Sequence, residues 1–248
     1  MKILVTAGNT QAPIDRVRCL TNIFTGRTGA AIAVEAHRLG HHITLLTSHP
    51  EAVLEVGKRV ALTDERWRTW TYLHFHDLDF LMGRALTRDG YDVLIHTAAV
   101  SDYLPAGIFA AAEGTSFDPD KQTWIGNPPT VQDRAAAKVK SNEPELWLRL
   151  VRAPKLVDKV RHEWNFRGVL VKFKLEVGID EQRLLAIAEP SRVHSDADLM
   201  VANTLEGAQQ WALLGPGADG HYARIARAEL AERLLAAVER KHKERTHG

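Results

Sequence analysis

Gly8, Gly26 and Gly29 bracket the stretch where chemistry is most readily placed, with Arg18 and Asn22 between them. A hydrophobic run, Ile3-Leu4-Val5, stops at Thr6-Ala7-Gly8-Asn9-Thr10, and an Ala-rich helical pattern begins only at Thr28. A strand, a long loop and a glycine-marked helix start form an order suited to a phosphate. A helix N-terminus offers unpaired N–H groups and a positive dipole end, and glycines let an anion approach the backbone closely. Within the loop, Arg18 can form a two-pronged pair with a carboxylate or phosphate, and Asn22 offers an amide donor and an acceptor. Singly, each also reads as a residue that stabilises its own loop. Together, just ahead of the helix start, they favour a site for a polar acyl substrate.

The spacing argues against a dinucleotide fingerprint. In that motif the glycines follow the strand immediately, whereas here roughly 18 residues separate Gly8 from Gly26. The second strand runs into Ser48-His49-Pro50, where an acidic residue for ribose hydroxyls belongs, and the chain lacks the Lys-Ser/Thr pair of a P-loop. An NAD(P)-dependent short-chain reductase, a competing reading, requires a Tyr-x-x-x-Lys pair after the fourth strand, and none is present.

The elements that must position these residues alternate. Residues 2–7 read as a buried strand, 28–39 as a helix ended by Gly40, and 43–47 as a second strand, a βαβ unit with a parallel pair. A third strand is expected at Trp70–Leu73, a helix at 78–88 and a fourth strand at Asp92–His96, ending at Thr97-Ala98-Ala99. The stretch 104–134 has no clear periodicity and reads as part of a flap or lid spanning 104–140. A strand follows at 146–151, a helix after Pro154, a strand at 169–173, a helix from about 180 and a strand at Leu199–Val201. A hairpin over 209–225 and a charged amphipathic helix over 227–245 complete the chain. The expected fold is α/β: a doubly wound, mostly parallel Rossmann-like sheet with helices on both faces, as a single domain over 1–248 and with ligands at the carboxyl ends of the strands.

Composition narrows the partners. With 32 Lys and Arg against 31 Asp and Glu, the net charge of +1 provides no broad basic field for nucleic acid. No run of 18 apolar residues is present to span a bilayer, and Met1-Lys2-Ile3-Leu4-Val5 enters a strand directly, so a cytoplasmic protein is expected. The single cysteine, Cys19, excludes intramolecular disulfides and reads as a small packing residue. His74-Phe75-His76-Asp77 has the look of a metal cluster, but a strand end followed by an Asp helix cap needs no metal, and none is expected.

Six motifs in order carry a resemblance. They are Thr6-Ala7-Gly8-Asn9-Thr10 with Pro13-Ile14-Asp15 and Val17-Arg18 through Asn22 to Thr25-Gly26 and Gly29; Ala98-Ala99-Val100-Ser101-Asp102-Tyr103; Lys138-Val139-Lys140; Pro154-Lys155-Leu156; Phe173-Lys174-Leu175-Glu176; and Val201-Ala202-Asn203. On these residues the sequence resembles phosphopantothenate–cysteine ligase, also called phosphopantothenoylcysteine synthetase, in a stand-alone form. The resemblance implies ligation of 4′-phosphopantothenate with cysteine in coenzyme A biosynthesis, with ATP or CTP as co-substrate, leaning to ATP, and with Mg²⁺. It implies no FMN, because the flavin-dependent decarboxylase domain often fused to this activity is absent from the sequence. It also implies a homodimer, for which the strand-rich 146–151 and 209–225 regions offer pairing edges, and no nucleic-acid or membrane partner.

Residue by residue, the resemblance gives Gly8, Thr10, Thr25, Gly26 and Gly29 to the triphosphate. Ala98 and Ala99 pass close to the nucleotide, Asp102 accepts from ribose hydroxyls, and Phe173 and Lys174 face the base. Lys138 stabilises charge as the carboxylate attacks the α-phosphorus, and Asn22 holds the acyl oxygen when the cysteine amine attacks. Arg18 and Asn203 contact substrate. On the residues alone, Ala98 and Ala99 read equally as tight sheet packing and Phe173 as a core aromatic. Three departures stand out: Ala12 replaces a longer residue, Phe24 replaces a serine, and Pro190 within 188–194 is expected to break its helix and leave Arg192 as the basic contact there. They motivate the alternative of a nucleotide-binding module of the same fold without ligase activity.

Overall fold

A computed structural model describes residues 1–57 and 65–247, and these residues divide into two compact units. The first contains residues 1–10, 23–100 and 155 onward; the second contains 11–22 and 101–154. In chain order the elements are β1 (Lys2–Ala7), β2 (Gln11–Pro13), β3 (Cys19–Thr21), α1 (Arg27–Arg38), β4 (His42–Thr47), α2 (Glu51–Val56), β5 (Trp67–Thr71), α3 (Phe75–Arg88), β6 (Val93–His96) and β7 (Tyr103–Ala111). There follow β8 (Ser116–Asp118), β9 (Thr123–Ile125), β10 (Val131–Asp133), β11 (Trp147–Arg152), α4 (Leu156–His162), β12 (Val169–Glu176), α5 (Glu181–His194), β13 (Leu199–Thr204), β14 (Trp211–Gly215), β15 (Ala223–Ala226) and α6 (Leu230–His247).

The first unit is built on an eight-stranded sheet in the order β15-β14-β13-β12-β6-β1-β4-β5. The six strands from β13 to β5 are parallel; β14 runs antiparallel to β13, and β15 antiparallel to β14. This is the doubly wound, mostly parallel α/β arrangement expected from the alternating pattern. Ile3, Leu4, Val5 and Ala7 have no solvent-accessible surface. A strand buried on both faces reads as an unbroken apolar run, and each such aliphatic side chain stabilises the fold by about 1.5–3 kcal/mol. On one face Ile3 and Val5 pack with Ile32, Ala33 and Ala36 of α1 and with Leu234, Leu235 and Val238 of α6. On the other, Leu184 and Ala188 of α5 cover Met200 and Ala202. The apolar side of the charged C-terminal helix is therefore core. Helix α1 closes through Gly40 N–H to the His37 carbonyl (2.9 Å) and His41 N–H to the Ala36 carbonyl (3.1 Å), which satisfies carbonyls the helix leaves open.

The second unit corrects the expectation of an irregular flap. Residues 103–152 form strands: β10-β7-β11 make a three-stranded antiparallel sheet, and β8 pairs with β9. Phe117, Trp124 and Trp147 seal this part, with ring centroids 4.6–5.4 Å apart. The hairpin β2–β3 belongs to the same unit, and Cys19 on it is exposed, not packed in a core. Helix α5 is a second correction, because it continues through Pro190 to His194. One lost N–H bond does not end it. Arg192 donates to Glu189 (2.8 and 2.6 Å) and to the Ala197 carbonyl (2.6 Å), and Ala188 is buried, so the turn after the proline is held from several sides. Strand β5 and helix α3 each begin three residues earlier than expected. His74 caps α3, and Asp77 accepts from the His74 N–H at 2.8 Å.

Candidate functional site

In a doubly wound sheet the ligand crevice lies where successive connections leave in opposite directions, outside the carboxyl ends of the strands. Here that point is between β1 and β6, since the chain after β1 builds toward β4 and β5, and after β6 toward β12 and β13. Gly8 follows β1. Its φ of +90° suits glycine, and a methyl group there would lie 2.2 Å from Ser48 Oγ at the end of β4. Gly26 precedes α1 with φ +77°, and a methyl group on it would lie 2.3 Å from the Gly8 nitrogen. The start of α1 therefore rests backbone to backbone on the end of β1. Gly29 continues the contact, since a methyl group there would meet Thr97 Oγ1 at 2.5 Å and Ala7 Cβ at 2.7 Å.

This packing brings the first turn of α1 onto the crevice and leaves it uncapped. The N-cap makes no side-chain hydrogen bond, the first turn carries no acidic residue, and the N–H groups of Arg27, Thr28 and Gly29 have no partner among the described residues. Such a turn can host an anion. Thr25 is exposed just ahead of it. Thr10 has no accessible surface, and its N–H donates to the Ala99 carbonyl (3.3 Å), so it ties the chain after β1 to the chain after β6.

Ala98 and Ala99 form the opposite lip. Ala99 N–H donates to the Gly8 carbonyl at 2.8 Å, and Ala98 N–H to Thr6 Oγ1 at 3.2 Å. The Thr6 hydroxyl is in turn bonded to His96 Nδ1 at 2.8 Å. Burial first, and the charge of Lys172 second, push His96 down to about 4, so the ring is neutral near pH 7. Lys172 is brought down to about 8 chiefly by desolvation; its Nζ donates to Ser195 Oγ (2.6 Å), which donates to Asp158 Oδ1 (2.7 Å). Phe173 packs half-buried on the α1/α6 face. Lys174 is paired with Glu176 at 2.8 Å. The half-buried Asn203 has no side-chain partner among the described residues.

Arg18, Asn22, Asp102 and Lys138 lie in the second unit. The Arg18 fork is already engaged, with Nε and Nη2 on Asp15 Oδ2 at 3.1 and 2.6 Å and Nη2 also on the Val139 carbonyl at 2.9 Å. Asp15 further accepts from the N–H groups of Val17 and Arg18 (2.8 Å each) and Val139 (3.1 Å). The Arg18 guanidinium, followed by the Val139 and Val17 amides, holds the Asp15 carboxyl well below the usual carboxylate range. Lys138 is exposed, and both its neighbours are pinned: the Ala137 carbonyl accepts from Arg16 N–H at 3.0 Å, and Val139 is held by Asp15 and Arg18. The structure thus joins the Arg18 loop to Lys138, which the sequence places in a mobile segment. Asn22 follows β3 and is half-buried; Asp102 is exposed, and its carbonyl accepts from Ala153 N–H at 2.8 Å.

Two residues that hold these arrangements escaped the sequence reading as site residues. Asp15 has a local signal, its spacing of three from Arg18. Ser48 has none, because its contact with Gly8 depends on strand order.

A glycine-built crevice at the switch point of a Rossmann-like sheet defines an α/β protein with the architecture of nucleotide-binding enzymes. The model of the DNA/pantothenate metabolism flavoprotein C-terminal domain family matches residues 1–111 of this chain. It is 30% identical over 243 residues to the coenzyme A biosynthesis bifunctional protein CoaBC of Thermococcus kodakarensis, an alignment covering 96% of this chain and 51% of that protein. The chain spans about half the length of the curated relatives it matches most fully. Among solved structures, the DNA/pantothenate metabolism flavoprotein from Streptococcus pneumoniae superposes with a TM-score of 0.74 at 29% identity, covering 96% of this chain and 98% of that one. A Cab2 mutant in complex with phosphopantothenate-cysteine shares the fold, with a TM-score of 0.67 at 20% identity over 98% of this chain and 86% of that one. No helix among the described residues is long and apolar enough to cross a membrane.

Proposed function

We infer that the chain is a nucleotide-dependent carbon–nitrogen ligase that joins 4′-phosphopantothenate to cysteine in coenzyme A biosynthesis, its two units forming one ligase domain in the cytoplasm. The observation that carries this reading is the cradle in which Gly26 rests on Gly8, within the residues that this family's model matches. The molecule bound in the Cab2 structure, phosphopantothenate-cysteine, is the product class the reading calls for. The carboxylate attacks the α-phosphorus of ATP or CTP, forming a C–O–P bond and releasing pyrophosphate. The cysteine amine then attacks the carbonyl, loses a proton and displaces the nucleoside monophosphate.

In this reading the uncapped turn at Gly26–Gly29 takes the phosphates, with Thr25 beside it and Ala98 and Ala99 as the other lip. Phe173 and Lys174 lie on the strand end that would border the base, Asp102 is assigned to the ribose, and Asn203, on the neighbouring strand, is assigned to substrate contact. Lys138 stabilises the charge that develops in the first step, and Asn22 holds the acyl oxygen in the second. Arg18, already anchored on Asp15, meets the acyl substrate through its remaining N–H groups. The polyphosphate of the nucleotide brings Mg²⁺, whose role is to neutralise phosphate charge; among the described residues no group of three His, Cys, Asp or Glu side chains is arranged to hold a metal. The fully assembled ligase is a homodimer, for which a light-scattering mass of twice the chain is expected.

The test is pyrophosphate release with phosphopantothenate, cysteine, Mg²⁺ and each nucleotide. Lys138→Ala is expected to slow formation of the acyl-nucleotidylate, and Asn22→Ala to let that intermediate accumulate. Folded wild-type protein that binds a nucleotide but releases no pyrophosphate with either would leave a nucleotide-binding module without ligase activity as the better account.

A further inference from the structure

Arg227, in the short turn between β15 and α6, is not accounted for by the sequence motifs. Its Nη2 donates to Thr28 Oγ1 in the first turn of α1, at 2.5 Å and 199 residues away in sequence. The residue is part-buried, its ordinary basicity is lowered by desolvation with no carboxylate offsetting it, and no ion pair engages it among the described residues. Two other arginines of this unit that are withdrawn from water, the buried Arg161 and the half-buried Arg192, are treated differently. Arg161 has Asp198 at 2.9 Å and Arg192 has Glu189 at 2.6 Å. A guanidinium withdrawn from water without a counter-charge is unfavourable. Among the described residues the guanidinium's only partner is a neutral hydroxyl, which takes one of its five N–H donors; the second Nη2 hydrogen, beside Nε or Nη1, leaves one two-pronged edge for an anion.

Its position follows from the sheet. Ile225, two residues earlier, packs with Phe173 against the core on the α1/α6 face. Strand β15 runs antiparallel to β14, which is antiparallel to β13, so β15 ends at the same rim as the parallel strands.

We propose that Arg227 is a phosphate ligand of the nucleotide, brought from the C-terminal segment to the glycine cradle, where it supplies the counter-charge that the uncapped, glycine-built turn lacks. This rests on the nucleotide-dependent reading above. It assigns phosphate recognition partly to a side chain, outside the residues on which the family resemblance rests, and it makes the docking of α6 a condition of nucleotide affinity.

The experiment measures binding of ATP, CTP and the uncharged nucleosides adenosine and cytidine to wild type, Arg227→Gln and Arg227→Lys, with thermal midpoints recorded alongside. Arg227→Gln is expected to weaken triphosphate binding by about 10- to 100-fold and to leave nucleoside binding unchanged. Arg227→Lys, which keeps the charge but loses the fork, is expected to fall between the two. If triphosphate affinity is unchanged in folded Arg227→Gln, or if nucleoside affinity falls in parallel, the inference is overturned while the ligase reading stands. If the glutamine variant does not fold, the lysine variant decides, since triphosphate binding equal to wild type would overturn the inference. Wild type that binds neither ATP nor CTP would overturn both.

Discussion

The two units handle polar groups in different ways. In the first, the candidate phosphate site is made of backbone: Gly26 on Gly8, Ala99 N–H on the Gly8 carbonyl, and the open amides at the start of α1. In the second, the corresponding work is done by one carboxylate, with Asp15 gathering the amides of Val17, Arg18 and Val139 and the Arg18 guanidinium. A backbone-built cradle is most sensitive to a change in volume at its contact points. A side-chain site tolerates changes in volume around it but depends on a single functional group. The comparison therefore predicts which kind of substitution each unit resists.

The largest effect is expected from Gly26→Ala. The new methyl group would need a left-handed backbone and would meet the Gly8 nitrogen at 2.3 Å, so the helix start must move off β1. Displacing pre-positioned donors of this kind lowers turnover by about 100- to 1000-fold. Pyrophosphate release and nucleotide affinity are expected to fall together, with the acyl substrate's affinity unchanged. Wild-type nucleotide affinity in Gly26→Ala would break the claim that this contact builds the site.

Asp15→Asn reverses the pattern. The amide keeps the size of the side chain but takes away the charge that anchors Arg18 and some of the acceptor capacity for three N–H groups. The loop carrying Arg18 then loses its tie to Val139 and Lys138. The kcat/KM for the acyl substrate is expected to fall by about 10- to 100-fold with nucleotide affinity retained, the opposite split from Gly26→Ala. Equal losses for both substrates would show that the two units do not divide the work.

The same contrast explains what the sequence discloses. Strands β1, β4 and β6 and helix α1 were legible because burial on both sides leaves unbroken apolar runs and α1 repeats alanine at helical spacing. The stretch 103–152 was not. Pro105 and Gly107 fall inside β7, the strands β8, β9 and β10 are only three residues long, and the aromatic contacts of Phe117, Trp124 and Trp147 join positions far apart in the chain. Gly8 and Gly26 announced a phosphate loop through their type, but their mutual contact depends on how α1 docks. Pro190 looked like a helix end because the contacts of Arg192 and Glu189 that hold the turn together are invisible to local propensity.

Acid provides the finest test, because it separates the units without mutation. His96 is buried neutral beneath the Ala98 lip, and its folded value of about 4 lies below its ordinary 6.5. Between those values the unfolded chain binds the extra proton, so this group's contribution is complete above about pH 6.5 and declines as pH falls toward 4. The integrated loss is on the order of 3 kcal/mol and belongs to the first unit. Asp15 shifts in the same direction for the opposite reason, because its charged form is favoured, not disfavoured, in the folded state. Its folded value is depressed, so its contribution is complete above the ordinary carboxylate range and is lost only as pH falls through that depressed value. From pH 6.5 to 4 the cradle should loosen while the Asp15 clamp holds. Amide hydrogen exchange, corrected for intrinsic rates, is expected to show falling protection at β1, β6 and the start of α1, with residues 15–18 and 139 unchanged. His96→Asn, which cannot take up the proton, is expected to flatten the slope in the first unit. A slope that survives in His96→Asn would place the acid sensitivity elsewhere and detach His96 from the support of the Ala98 lip.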